Sequence, residues 1–281
     1  DVVKPIWKEW LADGQISEKD LESARIPSKE EIAEEIDKGN QKVQQEIDKS
    51  IQQAQDLSKK IQEVDERLKT KKEMDWRDEK LMEEILQQKD DLSKKLDDLK
   101  QQNQLNNKKQ DQFNEKSPEV KQKMEQLQDI MNNVLDDETK KLYEELRELL
   151  EQQSDIEEFR DKMDELNKNS SNLEDDLERT LELFKKLQFD MKMEQTLEEL
   201  EEAIQDQEQL AKDTENEQNP DSKNDLLQKL EEEKKGIEDL KERIDELNEL
   251  NQDRKNPEAL PKDVKGDLEE IQEDQERAQE E

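Results

Sequence analysis

The sequence predicts an all-α fold of extended antiparallel helical hairpins and coiled coils, preceded by a short helical N-terminal patch. Three observations predict it. Apolar residues recur at alternating three- and four-residue steps, the narrow seam of helices that pair lengthwise. Only 28% of the 281 residues are hydrophobic and 46% are charged. An ordinary globular domain has about 45–50% and about 25%, so one large close-packed core is excluded. Four Gly and six Pro are too few for a sandwich or barrel, whose turns recur every 8–12 residues or so. Mean hydropathy is −1.46, where disorder competes. The regular spacing of the apolar residues favours paired helices instead.

Residues 1–28 stand apart. Val2, Val3, Ile6, Trp7, Trp10, Leu11 and Ile16 cluster there, punctuated by Pro5 and Pro27. Trp7, Trp10 and Leu11 fall at i, i+3, i+4 on one face of a short helix, marking a partner-docking patch or the tail of a preceding domain. Asp13–Asp20 imitates half of an EF-hand loop, but Glu9 and Leu11 stand where its first ligands belong. A capped helix turn is the better reading.

Residues 29–116 read as a coiled-coil hairpin. Ile36, Val43, Ser50, Leu57 and Val64 repeat every seven residues, interleaved with Asn40, Ile47, Ala54, Ile61 and Leu68. The polar Asn40 and Ser50 weaken the seam and fix its register. Asp75 is an N-cap for a second helix, which carries Leu81, Ile85, Leu92, Leu96 and Leu99, with Trp76 packed in the seam or at the helix end. The stripe fades through Gln101–Gln112, a stretch expected to be disordered.

Residues 117–213 form a second long-helix region. Ser117-Pro118 is a cap followed by Pro at the first helical position, and Val120, Met124, Leu127, Met131 and Val134 follow. After Asp136-Asp137 the phase shifts to Leu135, Leu142, Leu149, Ile156 and Met163 at seven-residue spacing. Ser171 and Glu174 read as a capping box that interrupts the helix at Ser170-Ser171-Asn172. Leu173, Leu177, Leu181, Phe184, Leu187, Met191, Leu197, Leu200 and Ile204 continue the pattern. Residues 214–224, in the polar stretch Asp213–Asn224, are a linker around Asn219-Pro220. Residues 225–255 hold the cleanest seam: Leu226, Leu230, Glu233, Ile237, Leu240, Ile244, Leu247 and Asn251. Pro257 and Pro261 end that helix, and 256–281 is a weak acidic helix or tail with Val264, Leu268 and Ile271.

The seam proper is assigned to Val43, Ile47, Leu57, Ile61, Leu142, Leu149, Leu177, Phe184, Leu230, Ile237, Leu240, Ile244 and Leu247. Five or six helices of about 25–40 residues, each about 40–60 Å long, would pair as hairpins rather than as a compact bundle.

Charge narrows function. Eighty-three acidic against 47 basic residues leave a net charge of −36, without the basic stripe that nucleic acid requires or that draws a segment onto anionic lipid. No apolar run approaches the roughly 20 residues that cross a bilayer. Neither nucleic acid nor direct membrane contact is expected. The sequence has no Cys and no His, which removes zinc-finger, thiol and Ser–His chemistry. The carboxylate runs Glu198–Glu202 and Glu231–Glu233 lack the desolvated pocket that acid/base pairs need and read as solvated helix faces. No catalytic residue, cofactor or metal is expected, so the chain is not read as an enzyme. Its partners are other helices of the same chain or of another protein, with the oligomeric state open. The leading reading is a non-catalytic scaffold or spacer mediating protein–protein contacts. The alternative is a chaperone-like acidic binder of basic or unfolded clients, with Met124, Met131, Met163, Met191 and Met193 as adaptable surface.

Three runs also carry a resemblance: Asp75-Trp76-Arg77-Asp78-Glu79-Lys80, Ser117–Val120 through Leu135–Glu138, and Leu177-Glu178-Arg179-Thr180-Leu181-Glu182-Leu183-Phe184-Lys185-Lys186-Leu187. Over Lys29–Asp213 the chain resembles the coiled-coil part of the domain-of-unknown-function family four-one-seven-five. The resemblance implies a large membrane-anchored bacterial envelope protein, with this segment outside the bilayer on the periplasmic side and no catalytic residues to transfer. Arg179 in the third run is expected to pair with Glu182 or Asp175. The chain opens on Asp1 without a signal peptide, as a processed chain or a piece of a longer protein would.

Overall fold

A computed structural model describes residues 29–113, 116–152, 155–216, 222–259 and 264–280. All of its regular elements are helices: α1 Lys29–Thr70, α2 Trp76–Phe113, α3 Pro118–Asn133, α4 Asp137–Gln152, α5 Ile156–Asn216, α6 Ser222–Gln252 and α7 Val264–Glu280. Trp7, Trp10 and Leu11, and the Asp13–Asp20 turn, lie outside the described residues.

The α1 heptads dictate its packing. Val43, Ile47, Leu57, Ile61, Val64 and Leu68 are buried, and so are Ala54 and Ser50. Two neighbours cover this stripe. Helix α2 folds back on α1, with Arg67 paired to Asp78 at the turn and Lys109 to Glu35 at the far end. Helix α5 runs antiparallel along another side. Asn167 Nδ2 donates to Asp65 (3.1 Å), Gln55 Nε2 donates to Glu174 (2.7 Å), and Lys192 pairs with Asp37 (3.8 Å).

The fourth rod comes in two pieces. Ser117 caps α3 by accepting from the Val120 N–H at 3.2 Å, with Pro118 in the first turn. Asp136 caps α4 by accepting from the Thr139 N–H at 2.7 Å. Both pieces run antiparallel to α5, through Lys123–Asp190 (2.6 Å) and Lys162–Glu145 (2.6 Å). They also face α2, through Arg147–Asp90 at 2.8 Å. Residues 29–194 therefore form an up-down-up-down arrangement of four rods around one apolar core drawn from α1 to α5. The hairpins close side by side instead of lying as separate arms.

Helix α5 has 61 residues, about 90 Å at 1.5 Å per residue, and outruns the bundle. Helix α6 returns along it through Arg243–Glu199 (2.9 Å) and Lys192–Glu246 (2.5 Å). Helix α7 reverses again on α6, where Lys241 donates to Gln272 at 2.6 Å. A small second core joins Ile237, Leu240 and Leu268 with Leu200, Ala203, Ile244 and Ile271.

Several expectations are corrected. Gln101–Gln112 is helical throughout: Asn103, Asn106 and Gln110 are buried there, so this seam is polar. Helix α5 passes through Ser170-Ser171 unbroken. Ser170 donates to the Asn167 carbonyl at 2.9 Å and meets the Ser58 hydroxyl at 3.2 Å, so the serine is absorbed as an interhelix contact, not a cap. The seven-residue series from Leu135 to Met163 does not follow one helix. The chain reverses between α4 and α5, and Leu149 and Ile156 lie on opposite sides of that turn. Helix also extends into the expected linker, to Asn216 and from Ser222. Helix lengths span 16 to 61 residues, because length follows the caps and not the heptad count.

Candidate functional site

Of the assigned seam residues, Val43, Ile47, Leu57, Ile61, Leu142, Leu177 and Phe184 lie in the four-rod core, with Leu149 half-buried against it. On α6, Ile237, Leu240 and Leu247 are buried, while Leu230 and Ile244 are partly covered. Among the Met residues expected to offer surface, Met131 and Met163 are fully buried, and Met124 and Met191 pack against the core. Arg179 is exposed and meets Asp176 at 3.6 Å, one turn toward the N-terminus, not Glu182 or Asp175. Its neighbour Thr180 is buried and donates to the Asp176 carbonyl at 2.7 Å.

Three places gather polar chemistry. The first is the α1–α2 tip. Asp75 accepts from the N–H groups of Arg77 (2.9 Å) and Asp78 (3.0 Å), and the Asp75 N–H donates to the Asp78 carboxylate at 3.0 Å. This is a reciprocal cap. Asp78, with no accessible side-chain surface, also takes two bonds from Arg67 and one from Lys71. Burial pushes its pKa up, but the bonds from Lys71, the Asp75 amide and Arg67 outweigh burial and hold it low. Asp75, bonded by Lys71 and the backbone of Asp78, is lowered to about 2. Arg160, from the first turns of α5, donates to the carbonyls of Leu68 and Lys71, satisfying the open C-terminus of α1. Trp76 packs neither in a seam nor at the helix end: it is 73% exposed, with the Lys80 ammonium 5.5 Å from its ring centre.

The second place is a clasp at the α6 C-terminus. Asn251 Nδ2 donates to the Glu258 carbonyl at 2.7 Å, and the Glu258 N–H donates back to Asn251 Oδ1 at 2.8 Å. Arg254, 8% exposed, lies 4.7 Å from the centre of the buried Phe189 ring and donates to Glu258 at 2.9 Å. That bond, opposed by burial and aided by the charge of Arg254, lowers the Glu258 pKa. Lys185 holds Asp253 at 3.1 Å, the Lys255 N–H donates to Glu182 at 2.9 Å, and Gln44 donates to Asp253 at 2.9 Å. The clasp thus ties α6 to both α5 and α1.

The third is a groove of about 500 Å³ between α5 and α6, beyond the clasp. Its floor includes Ala203, Leu210, Ile237 and Leu240; its rim carries Glu199, Glu202, Asp206, Glu232, Glu233 and Asp239, with Lys229 and Arg243. Burial raises the pKa of Glu199 against the opposing charges of Arg243 and Lys192. Burial and the nearby Asp206 raise that of Glu233. Like charges thus face each other across α5 and α6. Gly236 lines the groove in mid-helix, and among the described residues a Cβ there would meet nothing within 4 Å beyond its own helix backbone and chain neighbours.

Sequence reasoning singled out neither Arg254, Arg160 nor Gly236. Arg254 and Arg160 act on groups distant in sequence, which no local pattern encodes. Gly236 was readable as a helix-weakening residue inside the cleanest heptad run. Among the described residues, no group of three or more acidic side chains is placed to hold a metal ion, and no helix is long and apolar enough to cross a membrane. No family model, curated protein or solved structure matches the chain.

Proposed function

We propose that the chain is a non-catalytic helical scaffold or spacer that mediates protein–protein contacts. The observation that carries this reading is the division of labour along the molecule. Most apolar residues of α1–α4, and those of α5 up to Met191, hold four rods together, and α5 and α6 then project beyond them. A rod about 90 Å long with carboxylates on its wet faces is suited to spacing and docking, not to desolvating a reaction. Placement on the periplasmic side of a membrane-anchored bacterial envelope protein is part of the proposal and rests on the resemblance of the Asp75–Lys80 and Leu177–Leu187 runs. Circular dichroism and small-angle scattering of the chain test the scaffold reading. A helical spectrum with a maximum dimension of about 90 Å or more supports it; a random-coil spectrum overturns it.

A second reading, a chaperone-like binder of basic or unfolded clients, is favoured by the acidic rim of the α5–α6 groove. Burial of Met131 and Met163 leaves it less adaptable surface. Suppressed aggregation of a basic client supports this reading, and no effect at molar excess removes it.

A further inference from the structure

Two glycines, Gly39 and Gly236, sit in mid-helix, where Gly is the least favourable residue after Pro. One has a packing reason. A Cβ on Gly39 would come within 2.4 Å of Asn106 Oδ1, so α1 needs a bare backbone to admit the polar pair Asn106–Asn40. Gly236 has no such reason: among the described residues, nothing beyond its own helix backbone and chain neighbours lies within 4 Å of the position its Cβ would take. It weakens α6 without improving any internal contact, and it lies on the wall of the α5–α6 groove.

Other features of the groove point the same way. Its α5 wall runs from Glu199 to Leu210, about 17 Å or three helical turns. Its floor is apolar, and its rim sets six carboxylates against two cations. Two lining residues on opposite walls, Gln207 and Glu233, each carry a buried polar atom, Nε2 and Oε2, that no group of the described residues bonds. An apolar floor, an anionic rim, unsatisfied polar atoms and a missing side chain together describe a helix-in-groove site.

We propose that the groove between α5 and α6 receives a cationic amphipathic helix of a partner protein, its apolar face on Ala203, Ile237 and Leu240 and its Lys or Arg side chains on Glu202, Asp206 and Glu233. Gly236 leaves the backbone of α6 bare so that the incoming helix can approach closely. This assignment deepens the protein-docking reading above and rests on it.

The chain has no Cys, so Gly236→Cys introduces a single thiol that can carry a bimane fluorophore at the groove, and Lys168→Cys places the same label on the exposed face of α5 within the four-rod part. The probe is a 14-residue peptide of Leu and Lys at helical spacing with one Trp, added at 0.15 M salt. Quenching at position 236 and not at position 168 is expected. In unlabelled protein, Gly236→Trp should weaken binding of the same peptide at least tenfold, and so should replacing the Leu residues of the peptide by Ser at equal charge. Quenching at both positions or at neither, equal affinity of the two peptides, or unchanged affinity in Gly236→Trp overturns the assignment. A concentration-dependent doubling of mass abolished by Gly236→Trp would make a second copy the occupant, and would also overturn it. In all of these cases an elongated, helical chain leaves the scaffold reading standing, so the two can fail separately.

Discussion

Asp78 shows how much one side chain carries. Its carboxylate is inaccessible and joins Arg67, Lys71 and the Asp75 amide at the point where α1 turns into α2. Asp78→Ala leaves those donors without their acceptor. Because both cations keep about a quarter of their side-chain surface, water recovers part of the loss. The expected cost is about 2 kcal/mol, read as a lower urea midpoint at unchanged m-value. Trp76→Ala, between Asp75 and Asp78 of the same network, removes a 73% exposed ring and should stay within about 0.5 kcal/mol of the parent.

The same carboxylates set an acid limit. Asp75 and Asp78 have pKa values below their ordinary range in the folded chain. Their contribution is fully present above the ordinary carboxylate pKa of about 4 and is lost as pH falls toward about 2. Glu199, Glu233 and Asp37 are raised, so the folded form holds their protons more tightly and gains stability on acidification from neutrality. A stability profile that first rises below pH 7 and then falls below about pH 4 is expected from urea titrations. A monotonic fall from pH 7 would contradict it.

At the level of elements, caps and polar layers decide where helices start and how they align. Asn106 donates to Asn40 and to the Ile36 carbonyl, a polar layer that fixes the register of α1 against α2 as a buried Asn does in coiled coils. Gly to Ala within a helix ordinarily gains about 1 kcal/mol. Gly236→Ala should show that gain in thermal unfolding. Gly39→Ala should not, because its methyl group collides with the Asn106 side chain. Ser117→Ala removes the cap of α3 and should cost about 1 kcal/mol. If Gly39→Ala stabilised the protein as much as Gly236→Ala, the Asn106 layer would have no role in register.

Over the whole molecule, repulsion competes with a dense set of ion pairs. The net charge of −36 opposes compaction, while most of the pairs are exposed and individually worth about 0–1 kcal/mol. Repulsion is the larger sum, so added salt should stabilise the fold. Between 0.01 and 0.5 M sodium chloride the Debye length falls from about 30 Å to a few Å. Tm should rise by about 2–4 °C for each kcal/mol of repulsion relieved. A falling Tm would mean that the α5–α6 clasp and the α1–α2 tip dominate the electrostatics.

Much of this architecture was legible in the residues themselves. The heptads of α1, the Asp75 and Ser117 caps and the break after residue 252 are local signals, since side chains three, four and seven positions apart must share a helix face. Register between rods, the reversal between α4 and α5, and the passage of α5 through Ser170-Ser171 were not legible. Each depends on which neighbour covers a given polar or apolar group, and seven-residue spacing reads the same on either side of a turn. By itself, then, the sequence determined an all-helical, acidic chain with narrow apolar stripes, because periodicity and composition are properties of the strand. Only the tertiary structure decided that four rods close into one core, and that α5 and α6 leave an acidic groove beside Gly236. Burial and charge pairing are settled between segments far apart along the chain.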